Sequence, residues 1–254
     1  GFNQISLVVS TFDGYSACWE PFCHGLQKYW PAHFTPLYFI TNQKDPPCGH
    51  AIQVGQDRGW AANLLYALER IESPTILYAQ EDYWLTAPVD SHVISEYAAL
   101  LESGAVDYIR LYPAPPPTLP FAGDARLGAL APHAAYRTSL QMALWRKSVL
   151  QALLVPGETP WQFEVQGSRR SQVYGERFLS VTKKSFGINY LFTAIVDGEW
   201  SPKAFEYAEQ EKLPIAFDDL PARTVSKVLR SRLRNYLYPY TKKIRQAFQK
   251  LMGP

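Results

Sequence analysis

Short apolar runs and longer stretches of helical period take turns along the first half of this chain. Ile5 to Ser10 is a near-continuous apolar run of strand length, as is Leu37 to Thr41 and, shorter, Ala51 to Val54. Between the first two, residues from about Ser16 to Tyr29 suit a helix that Pro31 would end. From Gly59 to Ile71, Leu64, Leu65, Leu68 and Ile71 recur at spacings of three and four, the mark of one buried helical face. Thr75 to Ala79, entered through Ser73-Pro74, is the next strand. A helix from about Val89 to Leu101 starts at Asp90 or Ser91, residue types that cap helices, and Asp107 to Leu111 returns to strand. This alternation predicts a mixed, mostly parallel α/β sheet with helices on both faces.

Residues 112–128 interrupt the pattern. Pro113, Pro115, Pro116, Pro117 and Pro120, with Gly123 and Gly128, suit neither a helix nor a strand ladder. The segment reads as a long loop: a lid, an acceptor-binding loop or an idle surface excursion. Beyond it, Ser139 to Trp145 and Lys147 to Leu154 read as a strand or turn leading into a short helix. Pro160 to about Gly175 suits a further helix, Ile188 to Val196 at least one more strand, and Asp197-Gly198 a hairpin turn. From Arg223 to Tyr236, Val225, Val228, Leu229 and Leu233 form an apolar stripe; Pro239 breaks it, and Ile244, Phe248 and Leu251 form another. The expected organisation is an α/β domain over residues 1–222 and a basic amphipathic helical tail over 223–254.

Composition narrows the class. Hydrophobic residues make up 47% of the 254, enough for a substantial core, yet no apolar run approaches the roughly 20 residues of a membrane span. The chain opens at Gly1 directly into a strand-like run, so no secretory signal is expected. Three cysteines (Cys18, Cys23, Cys48) with no CxxC pair suggest neither a disulfide framework nor a zinc site, and a reducing cytoplasm is the default. The five histidines are scattered and show no metal-site spacing. Net charge is +2, but residues 223–254 carry nine Lys and Arg and no acid. That leaves 16 bases against 23 acids in residues 1–222, a net of −7. An acidic body argues against a nucleic-acid protein. The basic tail suits an anionic membrane surface, at about 1 kcal/mol per base, or a docked helix.

The chemistry concentrates where the strand at Thr75 ends in Gln80-Glu81-Asp82, followed by Tyr83-Trp84-Leu85. Carboxyl ends of strands are where open α/β sheets bind ligands. Adjacent acids are costly to bury without a partner, and a divalent metal carrying a diphosphate is one such partner; a solvated strand exit is the plain alternative. A nucleotidyltransferase would carry a Gly-rich phosphate loop after the first strand, which Thr11-Phe12-Asp13-Gly14-Tyr15 does not provide.

Read together, Gln56 to Ile71 and Pro74 to Leu85 resemble the nucleotide-sugar half of family-2-like glycosyltransferases of GT-A fold. Gly59, Asn63 and Ala67 sit in that family's order, and Tyr83-Trp84-Leu85 fills the position after its Asp-x-Asp motif. The resemblance puts Gln80 at the first Asp and Asp82 at the second, and matches Leu7 to Asp13 with the family's first strand and nucleobase turn. A neutral amide still bonds a ribose hydroxyl but is a weaker ligand for a hard cation. Ser139 to Lys147 and Gly157 to Glu164 resemble the acceptor half, in a form similar to members from bacterial capsule and lipopolysaccharide gene clusters.

The resemblance implies a GT-A-like, Rossmann-like domain that moves a sugar from a nucleotide-diphosphate donor to a glycan, lipid-linked acceptor, with inversion. Glu164 would be the catalytic base, with Glu158 as second choice. Thr11, Asp13, Asp57, Arg58, Asn63, Gln80, Glu81 and Asp82 would bind the donor; Trp161, Arg169 and Arg170 the acceptor. Asp82 would hold a divalent cation, Mn²⁺ or Mg²⁺. The protein would lie in the cytoplasm, peripheral at the inner membrane face, in surface polysaccharide synthesis. The competing expectation is a non-catalytic nucleotide-sugar or glycan-binding module that recruits partners through its tail.

Overall fold

Ile5–Ser10 (β1) is buried along its whole length because both sides of its sheet are covered: Leu7 and Val9 face one apolar core and Val8 the other. The computed structural model describes residues 5–32, 36–214, 217 and 220–222. The strands that follow are Leu37–Thr41 (β2), His50–Gln53 (β3), Thr75–Gln80 (β4), Tyr108–Arg110 (β5), Leu119–Pro120 (β6), Leu127–Ala129 (β7), Ala143–Arg146 (β8) and Phe178–Val181 (β9). They form one sheet in the order β3-β2-β1-β4-β8-β5-β9-β7-β6. β8 and β7 run against the other seven, so the sheet is mixed and mostly parallel, as expected.

Helices cover both faces. Trp19–Tyr29 (α1), Ser91–Glu102 (α3) and Pro202–Glu211 (α6) pack on one core; Trp60–Leu68 (α2), Lys147–Leu153 (α4) and Pro160–Arg170 (α5) pack on the other. The predicted cap of α3 is Asp90, whose side chain accepts the Val93 and His92 amides. α5 opens on a capping box between Thr159 and Gln162, with Pro160 at its first position.

Four features depart from the sequence reading. The stretch from Ile188 is largely irregular: Tyr190 makes an isolated bridge to Leu85, and Ile195–Val196 (β10) pairs with Glu199–Trp200 (β11) across the Asp197-Gly198 turn. β9, fully buried in the middle of the sheet, was not expected; its four residues are too short a run to show a period. The proline-rich segment contributes β6, an edge strand, which is where a ladder tolerates a residue lacking an N–H. Cys23 and Cys48 form a disulfide that ties α1 to the β2–β3 loop, with Cα atoms 6.0 Å apart, while Cys18 is a buried free thiol. The tail, 223–254, and His33 lie outside the described residues. No helix among the described residues is long and apolar enough to cross a membrane.

Candidate active site

The chain leaves β1 for β2 on one side, and returns as β4 on the other. The carboxyl ends of β1 and β4 therefore flank a topological switch point, with Ser10 and Gln80 paired in register. A cleft of about 640 Å³ opens there. Its floor is the exits of β1 and β4: Ser10, Thr11 and Phe12 beside Gln80, Glu81 and Asp82. One wall is the start of α2 with Asp57, Trp60 and Asn63; the other carries Pro160, Trp161 and Glu164 of α5 and the loop from Phe192 to Gly198.

The start of α2 is held by a side-chain clamp. Gly59 has φ +88°, a conformation that L side chains rarely adopt. Asp57 Oδ1 accepts the Gly59 amide at 2.8 Å and the Asn63 Nδ2 amide at 2.8 Å, and Asn63 Oδ1 accepts the Arg58 amide at 3.2 Å. Trp60 Nε1 donates to Ser10 Oγ at 3.0 Å, joining that helix to the end of β1.

At the end of β4 the two acids are buried, Glu81 at 8% exposure and Asp82 at 7%. A loop more than a hundred residues later crosses them. Thr193 Oγ1 donates to Asp82 Oδ2, as does the Ile195 amide at 3.4 Å, and the Ala194 amide donates to the Asp82 carbonyl at 3.3 Å. Burial pushes the Asp82 carboxyl up to about 6, against these hydrogen bonds. Burial, reinforced by the neighbouring Asp82, raises Glu81 well above the carboxylate range. Gln80 donates weakly to the Tyr78 hydroxyl at 3.4 Å.

Glu164 faces the same cleft from the first turns of α5. Its Oε1 accepts the Leu140 amide at 2.8 Å, and burial raises its carboxyl above the ordinary range. Phe163, the residue before Glu164, is fully buried between the Trp60 and Trp145 rings. Trp161 lines the cleft and is 74% exposed.

Most of the remaining expected site residues stand elsewhere. Asp13 is not part of the cleft: its carboxylate accepts the amides of Asn42, Gln43 and Lys44 at 2.9, 3.0 and 3.1 Å and so pins the exit of β2. Arg58 rests over the Tyr66 ring. Arg170 is locked to Glu158 at 2.6 Å and to the Leu153 carbonyl, which also takes Glu158 out of contention as the base. Arg169 is exposed and bonds Gln166 on its own helix. Thr11 lines the cleft, but its hydroxyl already accepts from Trp19 Nε1 at 2.8 Å. Tyr15, Tyr83, Gln141, Phe192 and Thr193 line the cleft without having been expected there. The one visible sign was the aromatic Phe192 ahead of the Asp197-Gly198 turn; the Thr193–Asp82 contact left no local trace.

Among the described residues no three His, Cys, Asp or Glu side chains form a ready cage for a metal. The donors present, the Asp82 carboxylate and the Gln80 amide oxygen, nevertheless fit a divalent cation that takes its other ligands from a diphosphate. A buried carboxylate with a raised pKa lacks a counter-charge that such a cation would supply. Among the described residues the lining holds five acidic side chains and no Lys, Arg or His.

No protein-family model and no curated protein sequence matches the chain. Solved structures do. Residues 1–349 of S. aureus TarS in complex with UDP superimpose with a TM-score of 0.52 at 12% identity, covering 85% of this chain and 67% of that one. The same fragment with UDP-GlcNAc gives 0.51 at 14% identity, covering 85% and 68%. Against the longer TarS structure the match covers only 39% of that chain, with a TM-score of 0.51. These neighbours are glycosyltransferases of GT-A fold, and this chain has that fold.

Proposed function

We propose that the chain is a glycosyltransferase that moves a sugar from a nucleotide-diphosphate donor to a glycan hydroxyl, with inversion. One observation carries this reading: Asp82 and Glu164, 82 positions apart in sequence, line one cleft at the switch point, and burial raises both carboxyls. The donor half is Asp57, Asn63, Gln80 and Asp82. Gln80 bonds a ribose hydroxyl through its amide, and Asp82 would hold a divalent cation together with the diphosphate. When bound, that cation offsets the charge that builds on the departing diphosphate.

Glu164 acts as the base. The Leu140 amide holds one carboxylate oxygen, which fixes the group while the other takes the proton from the attacking hydroxyl. Removal from water strengthens it for this task near neutral pH. Inversion needs one such base and no carboxylate nucleophile. The acceptor we envisage is a lipid-linked glycan in bacterial surface polysaccharide synthesis, reached at an anionic membrane surface through the nine bases of residues 223–254. The Cys23–Cys48 disulfide opposes a cytoplasmic site, because such bonds persist mainly in oxidising compartments.

Thermal-shift screening against UDP, GDP, CMP and their sugars, with and without Mn²⁺, tests the donor half. The reading expects one nucleotide class to raise the midpoint, with the Mn²⁺ increment abolished by Asp82→Asn. No shift with any nucleotide would refute it.

A further inference from the structure

Resting on the glycosyltransferase reading, we infer that the acceptor presented to Glu164 is an uncharged pyranose stacked on Trp161, and that the cleft rejects sugars bearing carboxylate, phosphate or sulfate. The first support is Trp161 itself. It is the most exposed of the large aromatic side chains among the described residues, at 74%, yet it stands in a cleft wall rather than on an outer face. An indole ring in a cleft presents a flat apolar face, and the C–H face of a pyranose covers such a face well. Trp161 and Glu164 are three residues apart on α5, so they share one helical face, and both line the cleft. A ring covering the indole is thus carried next to the base. Phe192, 45% exposed on the late loop, is a second uncovered ring in the same cleft.

The second support is charge. Of the five acidic side chains among the described lining residues, Glu164 stands beside Trp161 on α5. The described bases near this end, Arg110 and Lys184, do not line the cleft. Arg110 is fully buried and donates to the Tyr136 and Pro115 carbonyls, and Lys184 lies over the Tyr112 ring. The donor's diphosphate meets the same acidic surface, but there the residues suit a cation that travels with it. An anionic acceptor finds no counter-charge among the described lining residues. Discrimination of this kind comes from repulsion as much as from fit.

The test uses the full chain with its donor and a panel of methyl pyranosides: glucoside, galactoside, mannoside and N-acetylglucosaminide against glucuronide, galacturonide and glucoside 6-phosphate. Saturation-transfer NMR reads binding, and product formation reads kcat and KM. At least one neutral glycoside should bind, and every anionic one should be weaker by about tenfold or more. Trp161→Ala, at an exposed position that leaves folding intact, should raise the KM for the neutral acceptor about tenfold and leave the donor KM unchanged; Trp161→Phe should recover part of the loss. Preference for an anionic glycoside, an unchanged acceptor KM in Trp161→Ala, a change in the donor KM instead, or no binding of any pyranoside would overturn the inference. Donor hydrolysis in the same preparation separates this failure from failure of the glycosyltransferase reading, which would show no donor turnover at all.

Discussion

The Asp82 carboxyl is the residue on which stability and function pull in opposite directions. Its pKa lies at about 6 in the fold against 3.8 in an open chain, so the folded state holds the proton more tightly. Stability therefore falls as pH rises from about 4 to about 6, and remains lower above that window. Asp82→Asn keeps an oxygen for Thr193 and Ile195 but sheds the charge. Its melting temperature should exceed the parent's by several degrees at pH 7.5, and the two should converge below pH 4, as differential scanning calorimetry would show. Glu164→Gln should fold as the parent does and lose about 10²- to 10⁴-fold in kcat. Because burial raises Glu164, activity should fall on acidification at a higher pH than an ordinary carboxylate base would give; a pH profile of kcat/KM reads this directly. A profile flat down to the ordinary carboxylate range would exclude Glu164.

Elements far apart in sequence are tied directly to one another. α6 is fastened to α1 by Glu211, which accepts from Lys28, Tyr29 and His24 at 2.6, 2.6 and 2.9 Å. Burial opposes ionisation there, but those three partners prevail and depress the Glu211 carboxyl to about 2. Its contribution is fully present above about pH 4.5 and is lost as pH falls toward 2. Glu211→Gln should lower the midpoint at pH 7, with the difference shrinking on acidification through that range. The Cys23–Cys48 bond closes a separation of 25 residues, so reduction, or a Cys23→Ser exchange, should cost about 2–4 kcal/mol in a denaturant titration. Elements that announced themselves were those with a period and a boundary: β1, β2 and β4 as unbroken apolar runs, α2 by its Leu spacing, α3 by Asp90. β9 escaped because four residues are too few for a pattern. Its burial depends on β5 and β7 arriving on either side of it.

For the whole molecule, the alternation of strands and helices was enough to expect the sheet, and Gln80-Glu81-Asp82 with Glu164 gave the two poles of the cleft. What joins them was not legible. Thr193 over Asp82 and Leu140 against Glu164 are contacts of chain topology, and the Asp13 and Arg170 partners that remove both from the site are equally non-local. The charge contrast between an acidic body and a basic segment 223–254 belongs to this scale too. The chain should bind vesicles containing phosphatidylserine in a flotation assay, and should lose that binding at high salt or when residues 223–254 are deleted. The central claim is glycosyl transfer driven by Glu164 and Asp82. Its most direct test is release of nucleoside diphosphate from UDP- and GDP-sugars with Mn²⁺, for the parent, Glu164→Gln and Asp82→Asn. The account predicts turnover of one donor class by the parent and its near-complete loss in both variants. A donor that binds the parent but is never turned over, or variants as active as the parent, would contradict it.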